Sequence, residues 1–146
     1  MPELSILHYI VILVVVFFVG YYCIGRFGQW HKLHTAYAEQ KNSQLLNGTS
    51  FSLAAFRLGY ISYKSSVNMA VDGDCLRIFM QPGFGLGHPQ ISAIPLADIE
   101  AKTRQTAIGD LVELRFAKAP GIRALISTDV ANKIVHQSRD TWWVNW

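Results

Sequence analysis

Five histidines, two cysteines and one glycine-rich stretch are the residues of this 146-residue chain whose types lend themselves to chemistry. The stretch is QPGFGLGHP, residues 81 to 89, where Gly83, Gly85 and Gly87 stand between Pro82 and Pro89. Closely spaced glycines can cradle a phosphate, because bare backbone N–H groups reach an anion without obstruction by side chains. A dinucleotide fingerprint is G-x-G-x-x-G opening a helix straight after a strand, and a P-loop places Lys and Ser or Thr just beyond its glycines. Here the glycines alternate, no Lys follows, and Pro89 leads into a strand-like run. The stretch therefore reads as a turn, in which glycine supplies positive φ and the prolines stiffen the ends. Phe84 and Leu86 are left as apolar residues on its tip, placed to touch a partner or a membrane, or to fold back onto their own domain.

The histidines point no more firmly to catalysis. His31 and His34 lie three apart on a predicted helix, but the nearby carboxylate, Glu39, falls on another face and nothing local completes a tetrahedral metal set. They read as solvated, interfacial side chains. His8 sits near the end of an apolar run, where it faces a helix bundle or reaches the headgroups. His88 and His136 have no sequence-local base or nucleophile beside them. Cys23 and Cys75 lie in different regions and build no disulfide framework. The chain carries no nucleophile elbow, no Cys-His signature and no paired carboxylates in a recognisable setting. The expectation is a protein that is not an enzyme and uses no metal or cofactor; an enzymatic site would have to be assembled across space, for instance by His88 or His136 in a cleft beside a carboxylate.

The end of the chain, RDTWWVNW, places Trp142, Trp143 and Trp146 within five residues. Each such ring buries roughly 150 to 250 Å² of mostly apolar surface. They cover either their own domain's core or something outside it, a partner or the bilayer surface.

These residues must be positioned by elements, and the first is unmistakable. From Leu4 to Gly25 only His8 can carry charge near neutral pH, and IVILVVVFFV, residues 10 to 19, is unbroken Ile, Val, Leu and Phe. Those ten residues contribute roughly −3 to −6 kcal/mol toward membrane insertion. A buried strand ends after about eight residues, whereas this run is long enough to span. Residues 4–27 are predicted to be a transmembrane helix. Glu3 before it and GYYCIGRFGQW after it do not make a cleaved leader. Arg26, Lys32 and Lys41 follow it and no Lys or Arg precedes it, so the larger C-terminal part is expected in the cytoplasm, at the cell's inner (plasma) membrane. Tyr21, Tyr22 and Trp30 suit the headgroup zone, with Arg26 and Lys32 among them as the membrane interface.

Residues 28–49 read as a juxtamembrane helix and linker: GQWHKLHTAYAEQK places Trp30, Leu33 and Tyr37 near one stripe, and NSQLLNGTS is rich in turn formers. Residues 50–146 form the soluble domain. In it, Phe51, Ala54, Ala55 and Leu58 follow helical spacing, with Ser50 able to cap and Gly59 able to terminate, which predicts a short helix. The period then drops to two. Val67, Met69 and Val71, then Leu76, Ile78 and Met80, alternate about the turn DGD as a hairpin. Further strands are predicted at 90–94, 98–107, 111–117 and 121–127, and a closing helix at 127–138 with Val130, Ala131, Ile134 and Val135 on one side.

The succession VNMAVDGDCLRIF, HPQISAIPLADIE, VELRFAKAPGIRALIS and a terminal helix, over about residues 60 to 138, resembles the bacterial pleckstrin-homology-like (GRAM-like) family. Ile94, Pro95 and Ile99 stand at the corner where that family has IPxxxI. The resemblance implies a curved antiparallel sheet or partial barrel plugged by a C-terminal helix, and a role in binding lipids, peptides or proteins, although such a fold hosts many unrelated tasks.

The fold class expected is therefore α+β: one transmembrane helix carrying a PH-like domain. With 51 % hydrophobic and 16 % charged residues the chain is neither disordered nor built to coat nucleic acid, and after Asn47 ten Lys or Arg are interspersed with eight Asp or Glu. The function expected is that of a membrane-anchored interaction or accessory protein whose partner is a larger membrane complex, with Phe84, Leu86, Trp142, Trp143 and Trp146 as candidate contacts. The alternative is a lipid or small-ligand module. Headgroup recognition would need several cations to converge, and Lys64, Arg77, Lys102 and Arg104 are scattered along different strands.

Overall fold

The computed structural model describes residues 5–38 and 50–145. The expected linker, Glu39, Lys41 and Trp146 lie outside the described residues.

Helix α1, Ile6–Phe27, has 22 residues, and at 1.5 Å per residue it is about 33 Å long, which matches a hydrocarbon core of about 30 Å. Its most apolar window is not buried anywhere in the protein, and Leu13 and Phe17 are 69 % and 68 % exposed. β-branched residues weaken a helix in water, but in lipid the helix is one of the two structures that satisfy every backbone group. By length and composition α1 can cross a bilayer. It breaks at Gly28, whose N–H still bonds the carbonyl of Ile24 at 2.9 Å, and the chain resumes at once as α2, Gln29–Ala36.

The stripe foreseen for the juxtamembrane helix is real, though the helix stops at Ala36. Trp30, Leu33 and Tyr37 are all buried, and they belong to the same apolar core as the sheet. Tyr37 closes α2 by accepting the Lys118 N–H at 3.3 Å, with the Lys118 ammonium 5.5 Å from its ring centre.

The described residues form one seven-stranded antiparallel sheet: β1 Ser50–Leu58, β2 Ile61–Asp72, β3 Cys75–Met80, β4 Ile91–Pro95, β5 Ile99–Thr106, β6 Gly109–Phe116 and β7 Ala119–Ser127. The spatial order is β4-β3-β2-β1-β7-β6-β5, so β1 joins two meanders. A closing helix α3, Thr128–Gln137, buries Val130, Ala131 and Ile134 against the sheet, and Ser127 caps it by accepting the Val130 N–H at 3.3 Å. The class is α+β.

The short helix expected over residues 51 to 58 is corrected: it is strand β1. Ala54 and Ala55, which completed the helical stripe, are both exposed, while Leu53, Phe56 and Leu58 are buried. The buried face changes parity between Leu53 and Phe56 because the pairing with β2 slips there, Leu53 opposing Val67 but Ala55 opposing Lys64. Ser65, at φ 52°, lies in the bulge on β2. A bulge inserts an odd step into a period of two, and over nine residues that step imitates helical spacing. Gly59 does take the left-handed region, φ 60°, but as the turn of the β1–β2 hairpin rather than a helix end. The bulge and the brief β1–β7 pairing, Arg57 with Leu125 and Leu58 with Ala124, curl the sheet into a half-barrel around Leu53, Met69, Leu76, Ile78, Leu114 and Ile126.

Candidate functional site

The glycine loop between β3 and β4 does not hang free. It lies against the last turns of α1, and both surfaces are shaped for the contact. A Cβ on Gly25 would run into the Gly87 carbonyl and the His88 imidazole, and a Cβ on Gly87, itself at φ 71°, would run into the backbone of Tyr22. Two glycines facing each other therefore let backbone meet backbone. The turn reading of the stretch holds, and the turn serves a close approach rather than an anion.

Side chains then satisfy the loop's carbonyls, which have no strand partner there. The Tyr21 hydroxyl donates to the Phe84 carbonyl at 2.6 Å, the Trp30 indole N–H donates to the Pro89 carbonyl at 2.8 Å, and His88 Nδ1 lies 2.8 Å from the Leu86 carbonyl. A carbonyl only accepts, so Nδ1 carries the proton and Nε2 is left to accept from the Tyr63 hydroxyl at 3.2 Å. Both nitrogens of His88 are thus occupied.

His88 is 3 % exposed and boxed by aromatic rings, with centroids of Tyr21, Trp30 and Tyr63 at 4.6, 5.4 and 5.6 Å. Trp30 continues the stack to Phe56 at 6.4 Å. Burial pulls the His88 pKa below its ordinary value and, for the same reason, pushes the Tyr63 phenol up to about 12. This junction ties α1, α2, β2 and the glycine loop into one packed unit. Neither residue types nor spacing announced it: His88 and Tyr63 are 25 residues apart and Trp30 and Pro89 are 59 apart. Gly25 was the one available sign, a glycine in the last turn of an apolar helix.

The other candidates scatter. Tyr22 and Arg26 are exposed on α1, Arg26 donating to His31 Nε2 at 2.7 Å, and Lys32 is exposed on α2. Trp30, expected among the headgroups, is a core residue at 1 % exposure, because its neighbours on α2 pack against the sheet. His31 and His34 stack at 6.2 Å, and among the described residues no three His, Cys, Asp or Glu side chains gather as a metal-holding group. His136 is exposed on α3. Phe84 and Leu86 remain half exposed at the tip of the docked loop.

The two described tryptophans of the tail part ways. Trp142 is 5 % exposed and donates its indole N–H to the Ile99 carbonyl at 3.0 Å, so it finishes the domain's own core. The chain beyond it runs along β5, with Asn145 bonding Ala101 and Thr103 through its backbone at 3.0 and 3.1 Å, and covers part of that free edge. Trp143 points outward at 68 % exposure and borders a groove of about 830 Å³ shared with Pro95, Leu96, Ile99 and Phe116.

Of the cations that looked dispersed, Arg104 meets two others, Arg115 and Arg123, at one carboxylate. Glu113 on β6 is 5 % exposed and receives Arg104 from β5 at 3.0 Å and Arg115 at 2.8 Å, with Arg123 of β7 at 4.0 Å. The bonded Arg115 guanidinium holds the Glu113 carboxyl below its ordinary range. Arg77 is elsewhere, 3.9 Å from Asp72. Compared with known proteins, the chain matches no family model, no curated protein and no solved structure.

Proposed function

We propose that this chain is a non-catalytic, single-pass membrane protein that holds a pleckstrin-homology-like module in a fixed pose on the cytoplasmic leaflet and presents it to a neighbouring membrane complex. The curled antiparallel sheet and its C-terminal helix are compatible with that fold. The observation that carries the reading is the junction: the end of the apolar helix α1 is built onto the sheet unit through Tyr21 and Gly25, and α2 directly after it through Trp30. A membrane anchor on a flexible tether needs none of these contacts. Here the pose of the module relative to the helix axis is set by packing, which suits a surface that must meet a partner in the same plane.

Confinement to that plane raises the effective concentration toward neighbours without a new contact. The loop is bonded to Tyr21, six residues before the end of α1, so a spanning α1 brings Phe84 and Leu86 to the bilayer's interfacial layer. Trp143 and its groove lie on the edge of the sheet and are the candidate contact for the partner. Against a catalytic role stands the use of His88, whose nitrogens and faces are all taken by the core.

The test is membrane retention and topology together. Full-length protein should resist alkaline carbonate extraction, and a cysteine introduced at exposed Asp140 should react with an impermeant maleimide only in inverted vesicles. Release into the soluble fraction contradicts the anchor; labelling from the outside contradicts the cytoplasmic pose. Crosslinking in native membranes, compared with Trp143→Ala, then tests the partner face: an unchanged set of crosslinked neighbours removes Trp143 from it.

A further inference from the structure

Helix α1 is held to the sheet unit at two places that differ in kind. At its end it runs through Gly28 into α2, whose Trp30 and Leu33 are core residues. Ahead of that, Tyr21 and Gly25 receive the glycine loop, through the Tyr21 hydroxyl on the Phe84 carbonyl and the close approach of Gly25 to Gly87 and His88. With the loop unseated, α1 would join the sheet unit through Gly28 alone, an extended residue at φ −85° and ψ −168° between two helices, which is the place for a hinge.

His88 stands at that seat. Its box takes walls from three elements, Tyr21 of α1, Trp30 of α2 and Tyr63 of β2, and the ring from α1 is the nearest, at 4.6 Å. The neutral imidazole suits the box, donating from Nδ1 and accepting at Nε2. A second proton makes Nε2 a donor, so the Tyr63 hydroxyl must turn its own proton away, and a positive charge is left without water. No acid stands by to meet it. Residues 5–38 and 81–97, which hold α1, α2, the loop and β4, contain no Asp or Glu, and Asp72 lies at the far end of β2 beside Arg77. The titratable groups that face His88 are the Tyr21 and Tyr63 phenols; Arg26 is turned to His31, and Lys64 of β2 is exposed. Burial accordingly holds the His88 pKa below its ordinary value. Trp30 and Tyr63 are core residues, so the wall that can open to water without breaking the core is α1.

We infer that His88 is a proton-operated latch between α1 and the sheet unit: protonation of its Nε2 unseats the loop from Phe84 to His88 and turns a fixed pose into one hinged at Gly28. This rests on the fixed-pose reading of the junction. Closing the latch weakens proton binding, so protons favour the open state by the same factor, fully below both pKa values and not at all above 6.5. The Trp30 bond to Pro89 keeps the far end of the loop on the core, while the Tyr21 bond to Phe84 is the one given up. A partner surface on the sheet unit thus keeps its orientation at neutral pH and loses it when the compartment around it acidifies.

The experiment places spin labels on Leu13→Cys of α1 and Ile108→Cys of the β5–β6 turn, both exposed, in full-length protein with Cys23 and Cys75 replaced by serine. Their separation is read by pulsed electron resonance in dodecyl maltoside at about pH 7.5 and about pH 5. The distance distribution should be narrow at the higher pH and about twofold broader at the lower, reversibly, with the circular dichroism of the sheet unchanged. The His88 imidazole, followed by nitrogen NMR, should titrate with the same midpoint. His88→Asn, whose amide can still donate to the Leu86 carbonyl, should stay narrow at both pH values, and Tyr21→Phe should open at a higher pH than the wild type. A wild-type distribution narrow at both pH values overturns the latch, as does a midpoint about one pH unit or more from that of His88. Broadening of His88→Asn like the wild type also overturns it, and so does loss of the transition in His34→Gln, since the His34 pKa is lowered too, by burial and by His31. Should His88→Asn fail to fold, the wild-type midpoints and Tyr21→Phe decide. Broadening that comes with loss of the sheet overturns the latch as well, because the fold itself would then be the switch. A distribution already broad at the higher pH contradicts instead the fixed pose on which the latch rests.

Discussion

His88 sits at a point where burial and chemistry pull against each other. A histidine held below its ordinary pKa of 6.5 binds a proton more weakly folded than unfolded. Its contribution to stability is therefore complete above pH 6.5 and is lost as pH falls through that value toward the folded one. Thermal stability in detergent should decline as pH falls below 6.5. His88→Phe should flatten that decline while costing about 1 to 3 kcal/mol, because Tyr63 and Leu86 lose a partner; an unchanged pH profile would assign the slope elsewhere. Glu113 acts in a separate window: with its carboxyl below the ordinary 4.5, its contribution persists above that pH and vanishes below it. The two helix glycines offer a second contrast. Alanine improves an ordinary helix position by about 1 kcal/mol. Gly20→Ala, with open space around it, should follow that rule, whereas Gly25→Ala should destabilise the sheet unit by about 1 to 3 kcal/mol by pushing Gly87 and His88 away. Melting both variants in the same micelle checks it, and equal behaviour would mean that the loop is not seated on α1.

Among the elements, those that follow one period from end to end could be read from sequence, and those that change period could not. α1 is apolar from Tyr9 to Gly25, α3 begins with a capping serine, and the second half of β2 with β3, and β5 with β6, pair about turn residues. β1 was misread because its buried face changes parity where the bulge on β2 shifts the pairing, a feature that depends on the strand beside it. The glycine loop could be recognised as a turn, but its seat on α1 is a contact between distant segments, which local spacing does not encode. Convergence of Arg104, Arg115 and Arg123 on Glu113 likewise needs the order β7-β6-β5, and no single strand carries more than part of it. The tail is decided at this scale too. Trp142→Ala should cost about 3 to 5 kcal/mol. Trp143→Ala, at 68 % exposure, should stay within about 0.5 kcal/mol. Denaturant titration of the two variants separates a core tryptophan from a contact one; comparable losses would show that both serve the fold.

For the whole molecule, the consequence of the junction is that the anchor and the module are not independent. α1 continues into α2 with a break at Gly28 alone, α2 gives Trp30 and Leu33 to the core of the sheet unit, and the loop after β3 returns to Tyr21 and Gly25. Two separated points of attachment fix the tilt of the sheet unit on the helix. The half-exposed loop tip lies against the end of α1, and a pocket lined by Gln29, Arg57, Arg104 and Arg123 lies at the start of α2, while the Trp143 groove lies at the other end of the β5–β6 hairpin, by Ile99, Phe116 and the tail. Under the proposed function, such a division would give one region to the bilayer and leave another for a protein neighbour.

The pose is tested most directly by the depth of residue 86. In full-length protein with Cys23 and Cys75 replaced by serine, an environment-sensitive fluorophore on Leu86→Cys is reconstituted in phosphatidylcholine vesicles containing phosphatidylglycerol. The account predicts a blue-shifted probe quenched by nitroxides near the lipid headgroups and shielded from aqueous iodide. A probe that iodide quenches freely and the lipid nitroxides do not reach would contradict it.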